Sequence, residues 1–192
     1  MAKRLGMIAA IVLAVSAGGY GLIRFAGAGA TVFQLEGAVL HVSGPISGAA
    51  SDRLQRFLEE NDEIALVSLG DIPGADDVGW AAGMGRAIRA SGVDTQAAGP
   101  IVNDAILIYL GGVSRHVADG GTFVFQSDAL QQTTGIAVDQ SPAAQSDRER
   151  LVTTMLGGPD FAAFMAEMRA STDFYILTED DIAAFGLQTE IN

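Results

Sequence analysis

The chain has no cysteine. That excludes disulfides, a thiolate nucleophile and any cysteine-based zinc site. It has no lysine after Lys3, so the rest of the chain can build neither a Ser/Lys dyad nor a Schiff base. Only two histidines, His41 and His116, are present, and no ligand spacing around them suggests a transition metal. Positive charge is also scarce. From Thr31 onward eight arginines face all 23 Asp and Glu residues, a net charge of −15. Such a surface repels phosphate, which argues against nucleic acid and anionic lipid surfaces as partners. No cofactor motif and no internal repeat is found.

What is present begins with an uncharged run. Leu5 to Ile23 is 19 residues long, with Lys3 and Arg4 before it and Arg24 after it. A membrane-spanning helix needs about 20 apolar residues, whereas a cleaved signal carries an apolar core of roughly 7–15. Length favours a retained anchor. Ala26-Gly27-Ala28 and Ala28-Gly29-Ala30 nevertheless both fit a small-x-small cleavage site. The expected organisation is a transmembrane anchor or signal segment over residues 1–30 and one domain over 31–192. The positive flank keeps the N-terminus cytoplasmic and exports the domain. In a bacterium this means the inner membrane with the domain on the periplasmic side, or the free periplasm after cleavage.

The remaining 160 or so residues suffice for one core. Ala38–Ser43 reads as a strand before the Gly44-Pro45 turn. Ala50, Leu54, Phe57 and Leu58 share one helical face. Ile64–Leu69 is a short continuous apolar run, as in a strand buried on both faces. Asp76 or Asp77 can cap a helix over Val78–Ala90 that Gly92 stops. A strand over Val93–Ala97, a turn at Gly99-Pro100, a buried helix over Val102–Leu110 and a strand over Thr122–Phe125 follow. Ser127 to Gln145 is polar and predicts a lid or exposed loop. Ser146–Met155, Phe161–Met168 and Thr178–Phe185 predict helices. Strands alternating with helices at this spacing make an α/β fold of βαβ units with a mostly parallel sheet.

Several segments in this order resemble the ClpP/crotonase superfamily, and within it the exported ClpP-like proteins of bacteria. They are LHVSGPI, ALVSLGDIPGADDVGWAAGMGRAIRASG, NDAILIYLGGVSRHV, GTFVFQ and FYILTEDDIAAFGLQTEI, and the resemblance covers roughly Ala38 to Asn192. The resemblance implies a serine-peptidase scaffold with a nucleophile helix before Gly111-Gly112, an oxyanion loop and a strand that delivers a histidine. The nucleophile position falls on Asn103 and the histidine position on Gln126. The oxyanion-loop equivalents are Gly74 and Ala75, with Asp71, Asp76 and Asp77 around them. An amide is not a nucleophile of the Ser/Cys/Thr type, and Gln accepts no proton near neutral pH. The resemblance therefore implies a non-catalytic pseudo-peptidase acting as a binding or assembly module, with a peptide or protein ligand. The alternatives are an active serine-type hydrolase using other residues, and a crotonase-like acyl-CoA enzyme. Relatives commonly form homo-oligomers, and Phe161, Phe164, Met165 and Met168 offer an apolar helical face for self-association.

Other side chains have plainer readings. Ser43, Ser68 and Ser127 lie at strand ends, where serine usually caps or turns. His41 and His116 read as partly buried or surface histidines. Asp104 adjoins Asn103 but points about 100° away on a helix. The Asp71–Asp77 loop lacks the ligand order of a calcium site.

Overall fold

The computed structural model describes residues 12–14, 22–25, 30–133, 140–171 and 174–189. A seven-stranded sheet carries the fold. Its strands are β1 (Val12–Ala14), β2 (Leu22–Phe25), β3 (Val32–Glu36), β4 (Val39–Ser43), β5 (Leu66–Leu69), β6 (Asp94–Ala97) and β8 (Arg115–Val117), in that spatial order. From β4 to β8 every pairing is parallel. A second sheet has the order β10 (Phe174–Ile176), β9 (Thr122–Gln126), β7 (Pro100–Val102). The βαβ core is the one the sequence pattern predicts. The antiparallel run β1–β2–β3–β4 is additional.

The crossover helices follow their sequence signals. α1 (Gly48–Glu60) buries Ala50, Leu54 and Leu58, and the Ser47 hydroxyl caps it. α2 (Val78–Ser91) is capped by Asp77 and not Asp76, with Gly79 N–H donating to Asp77 Oδ1 at 2.6 Å. It ends at Gly92, whose φ of 71° is left-handed, as a C-terminal glycine should be. α2 crosses the short buried helix α3 (Ile106–Leu110) at van der Waals limits. A Cβ on Gly85 would stand 2.2 Å from the Leu107 carbonyl oxygen, so only glycine fits. α5 (Pro142–Leu156) and α6 (Asp160–Ala170) cover the other side of α2 and β9. The C-terminal segment closes the sheet: α7 (Glu179–Ala184) is followed by Leu187 and Gly186, whose carbonyls accept from buried Arg115 at 2.8 and 3.1 Å.

Four expectations need correction. The uncharged run Leu5–Ile23 predicts a helix. Within it Val12–Ala14 is strand and β2 begins at Leu22, while the remaining residues of the run lie outside the described ones. An apolar run has no period that separates strand from helix, and β2 satisfies the edge hydrogen bonds of β3. Among the described residues no helix is long and apolar enough to cross a membrane.

The second correction concerns the segment from Ser127. It is helical over α4 (Asp128–Thr133), because Ser127 caps it, with Leu130 N–H donating to Ser127 Oγ at 3.1 Å. α5 then starts at Ser141-Pro142, a capping serine followed by an N1 proline. Third, Pro100 begins strand β7 instead of a turn, a first-residue position that proline tolerates. Fourth, the apolar face of α6 is internal. Phe161 and Met165 are buried, and Phe164 meets Phe125 and Tyr175 edge to face and Phe185 at a tilt. That face is not available for self-association.

Candidate functional site

β7 leads straight into a single 3₁₀ turn, Asn103–Ala105, that opens α3. Asn103 is the one described non-glycine residue with positive φ, at 50°, and it is 2% exposed. Such a conformation costs roughly 1–2 kcal/mol for an L-residue, least for Asn. Its side chain accounts for the backbone being held there. Oδ1 accepts the Gln126 backbone N–H at 2.7 Å, and Nδ2 donates to Gln131 Oε1. The strand β9 and the helix α4 are thus both fastened to residue 103. Asn103 and Gln126, far apart in sequence, are brought together. The contact uses the main chain of Gln126, whose side chain lies opposite Phe174 in the β9–β10 pair.

The loop holding Gly74 and Ala75 arrives beside this turn. Ile72 bridges Ile101 in parallel, with Ile72 N–H donating to Pro100 O at 2.8 Å and Val102 N–H to Ile72 O at 3.0 Å. Two residues beyond that bridge lie Gly74 on one segment and Asn103 on the other. The loop is tied down on its far side, where Ile46 N–H donates to Gly74 O and Asp76 N–H to Ile46 O, both at 3.0 Å. Gly74 takes φ 147°, open only to glycine without strain. The acidic residues do not crowd the loop: Asp71 and Asp76 are exposed, and Asp77 is turned into its cap.

Asp104 is tied into a buried ion-pair cluster. Arg148 grips it with two hydrogen bonds, Nε to Oδ1 at 2.6 Å and Nη2 to Oδ2 at 2.9 Å, and Arg169 Nη1 reaches Oδ2 at 3.0 Å. Arg169 continues to Asp128 Oδ1 at 3.0 Å. All three residues of the Asp104 cluster are at most 9% exposed. This chain of charges clamps α4, α5 and α6 to the 3₁₀ turn. It floors a cleft of about 620 Å³ walled by the alanines of α6. Sequence reading missed Gln131, Arg148 and Arg169. Their partners lie 28 to 65 residues away, and no local spacing marks them.

The remaining candidates resolve simply. Ser127 caps α4, and Ser68 is buried within β5. His41 lies 3.9 Å from Glu36 on the exposed face of β4, and His116 sits in β8. Among the described residues no cluster of His, Asp and Glu could hold a metal ion. Burial holds the Tyr109 phenol above its ordinary pKa, and its hydroxyl reaches the Leu187 carbonyl at 3.2 Å, a structural role.

A parallel βαβ core with a second small sheet, and a strained turn opening a buried helix between them, define an α/β fold of the ClpP and crotonase kind. Solved structures agree. ClpP1 from Listeria monocytogenes is similar with a TM-score of 0.56 at 13% identity, over 79% of this chain and 88% of that one. A peptidase from Plasmodium falciparum gives 0.56 at 14% identity, over 79% and 92%. An enoyl-CoA hydratase/carnithine racemase from Magnetospirillum magneticum gives 0.52 at 18% identity, over 82% and 66%. At these identities the likeness is one of fold. No family model matches the chain, and no curated protein does.

Proposed function

We propose that this chain is a ClpP-like domain without hydrolase chemistry that serves as a binding or assembly module. One observation carries the reading. The side chain in the nucleophile position, Asn103, is buried and bonded at both ends, by the Gln126 main chain and by Gln131. It holds the scaffold together and presents nothing to attack a carbonyl. Gln126 supplies no base. The acidic surface opposes the phosphates of coenzyme A, which disfavours an acyl-CoA reading. The proposal includes export: the uncharged run Leu5–Ile23 behind Lys3 and Arg4 supports delivery to the membrane, with the domain on the far side.

The chemical half is tested with fluorophosphonate and β-lactone probes, which need a serine activated by a base and an oxyanion hole. No labelling is expected. Stoichiometric labelling of one serine would overturn the reading and make that serine the active site. Fractionation and protease accessibility from the outer side test the location. Recovery of the full-length chain in the cytosolic fraction would reject export.

A further inference from the structure

Among the described residues strand β10 is an open edge. It pairs with β9 on one side only, in antiparallel register with Phe174 opposite Gln126, Tyr175 opposite Phe125 and Ile176 opposite Val124. Leu177 N–H donates to Phe123 O at 3.0 Å, so this ladder uses the polar groups of Leu177 and Tyr175. By the alternation of an antiparallel strand, the N–H and C=O groups of Phe174 and Ile176 point away from β9. Their side chains are uncovered as well. Phe174 is 62% exposed and Ile176 48%, on the face shared with Gln126 and Val124. Tyr175 is turned the other way, its ring against Phe164 and its hydroxyl on Asp181 at 2.8 Å, which fixes the strand. Exposed apolar edges are normally blunted by lysine, proline or a bulge, and β10 has none of these. The exposed carboxylates of Glu179 and Asp180 follow within four residues of Ile176.

We propose that β10 receives an extended segment of a partner protein as an added antiparallel or parallel strand, one in which apolar residues alternate with Lys or Arg. Main-chain bonds to Phe174 and Ile176 supply the pairing. Apolar side chains of the segment cover Phe174 and Ile176, and its basic residues meet Glu179 and Asp180. A second copy of this chain fits this edge less well, because it carries the same net charge of −12 and would bring acidic residues to Glu179 and Asp180. The inference rests on the binding-module reading and gives that module a ligand class.

The test uses the full-length chain and three fluorescent octapeptides: alternating Val and Lys, the same peptide N-methylated on alternate residues, and alternating Val and Glu. Binding is read by anisotropy. The Val/Lys peptide is expected to bind at least tenfold more tightly than either control, and the N-methylated one keeps the charge while losing the pairing. Ile176→Pro removes an outward N–H and leaves the β9 ladder untouched, so it should weaken the Val/Lys peptide about tenfold. Glu179→Gln with Asp180→Asn should weaken it several-fold and flatten its salt dependence. Equal binding of the methylated and unmethylated peptides, which needs no variant to fold, would overturn the proposal. So would self-association in sedimentation that Ile176→Pro abolishes, since a second copy would then be the occupant. Serine-probe labelling of the same sample reports separately on the non-catalytic reading.

Discussion

Asn103 Oδ1 accepts the backbone N–H of Gln126 at 2.7 Å, so the residue that opens the buried helix α3 is fastened to the end of strand β9. The bond joins the two positions that the resemblance assigns to a nucleophile and its base, and here it is a structural contact. Its stabilising value can be measured. Asn103→Ala leaves the Gln126 N–H without its acceptor, removes the bond to Gln131, and places a Cβ-bearing residue with no local hydrogen bond at φ 50°. An unsatisfied buried group costs about 1–3 kcal/mol. Urea denaturation should show a loss of about 2–4 kcal/mol. Asn103→Gly loses the same bonds but tolerates the backbone, so it should be about 1 kcal/mol more stable than the alanine variant. Equal stability of the two variants would show that the turn is not strained.

A different cost is expected at Asp104. Removing it takes one carboxylate away from two buried guanidinium groups, Arg148 and Arg169. Breaking a buried pair from one side typically costs about 3–5 kcal/mol, most of it from the charge left behind. Asp104→Ala should fall in that range by chemical denaturation and should release α4, α5 and α6 to faster amide exchange. Asp104→Leu combined with Arg148→Met should recover part of the loss, because Arg169 keeps Asp128 as its carboxylate partner. If the single variant is neutral, the cluster does not hold these helices.

The two glycines at the middle of α2 should respond in opposite directions. A methyl group on Gly83 would stand 3.4 Å from Ser51 Oγ, an ordinary contact, so Gly83→Ala should gain roughly 0.5–1 kcal/mol from helix propensity. One on Gly85 would meet the Leu107 carbonyl at 2.2 Å, and there Gly85→Ala must push α2 and α3 apart. Overpacking costs about 1–3 kcal/mol, enough to outweigh the propensity gain. Thermal melts of the two variants should therefore move to either side of the parent.

Much of this architecture was legible because burial imposes periods. The faces of α1 and α2, the continuous run of β5 and the Asp77 and Gly92 caps follow from residue types alone. β3 was missed although Val32–Glu36 precedes a two-residue turn whose Gly37 takes φ 57°, a hairpin signal. β8 and β10 are three residues each, too short for alternation to show. At the site, motif order singled out Asn103, Gln126 and Gly74, which the fold brings close together. Gln131, Arg148 and Arg169 join it only through the packing of α4, α5 and α6, which no local pattern encodes.

Asp181 Oδ2 accepts from the Thr178 hydroxyl at 2.7 Å, the Thr178 N–H at 2.8 Å and the Tyr175 hydroxyl at 2.8 Å. These donors favour the carboxylate, and the Thr178 bonds lead in holding its pKa below the ordinary 3.8. The same contact raises the Tyr175 phenol above 10.0. A depressed carboxylate stabilises the fold fully above its unfolded pKa and loses that contribution as pH falls through the folded value. The capping box of α7 should therefore hold at neutral pH and loosen only below about pH 4. Carboxyl NMR titration of Tyr175→Phe should move Asp181 part of the way back toward 3.8, since the two Thr178 donors remain. Thr178→Ala should move it further. A Tyr175→Phe shift as large as that of Thr178→Ala would mean that the tyrosine, not the cap, sets the charge at the end of β10.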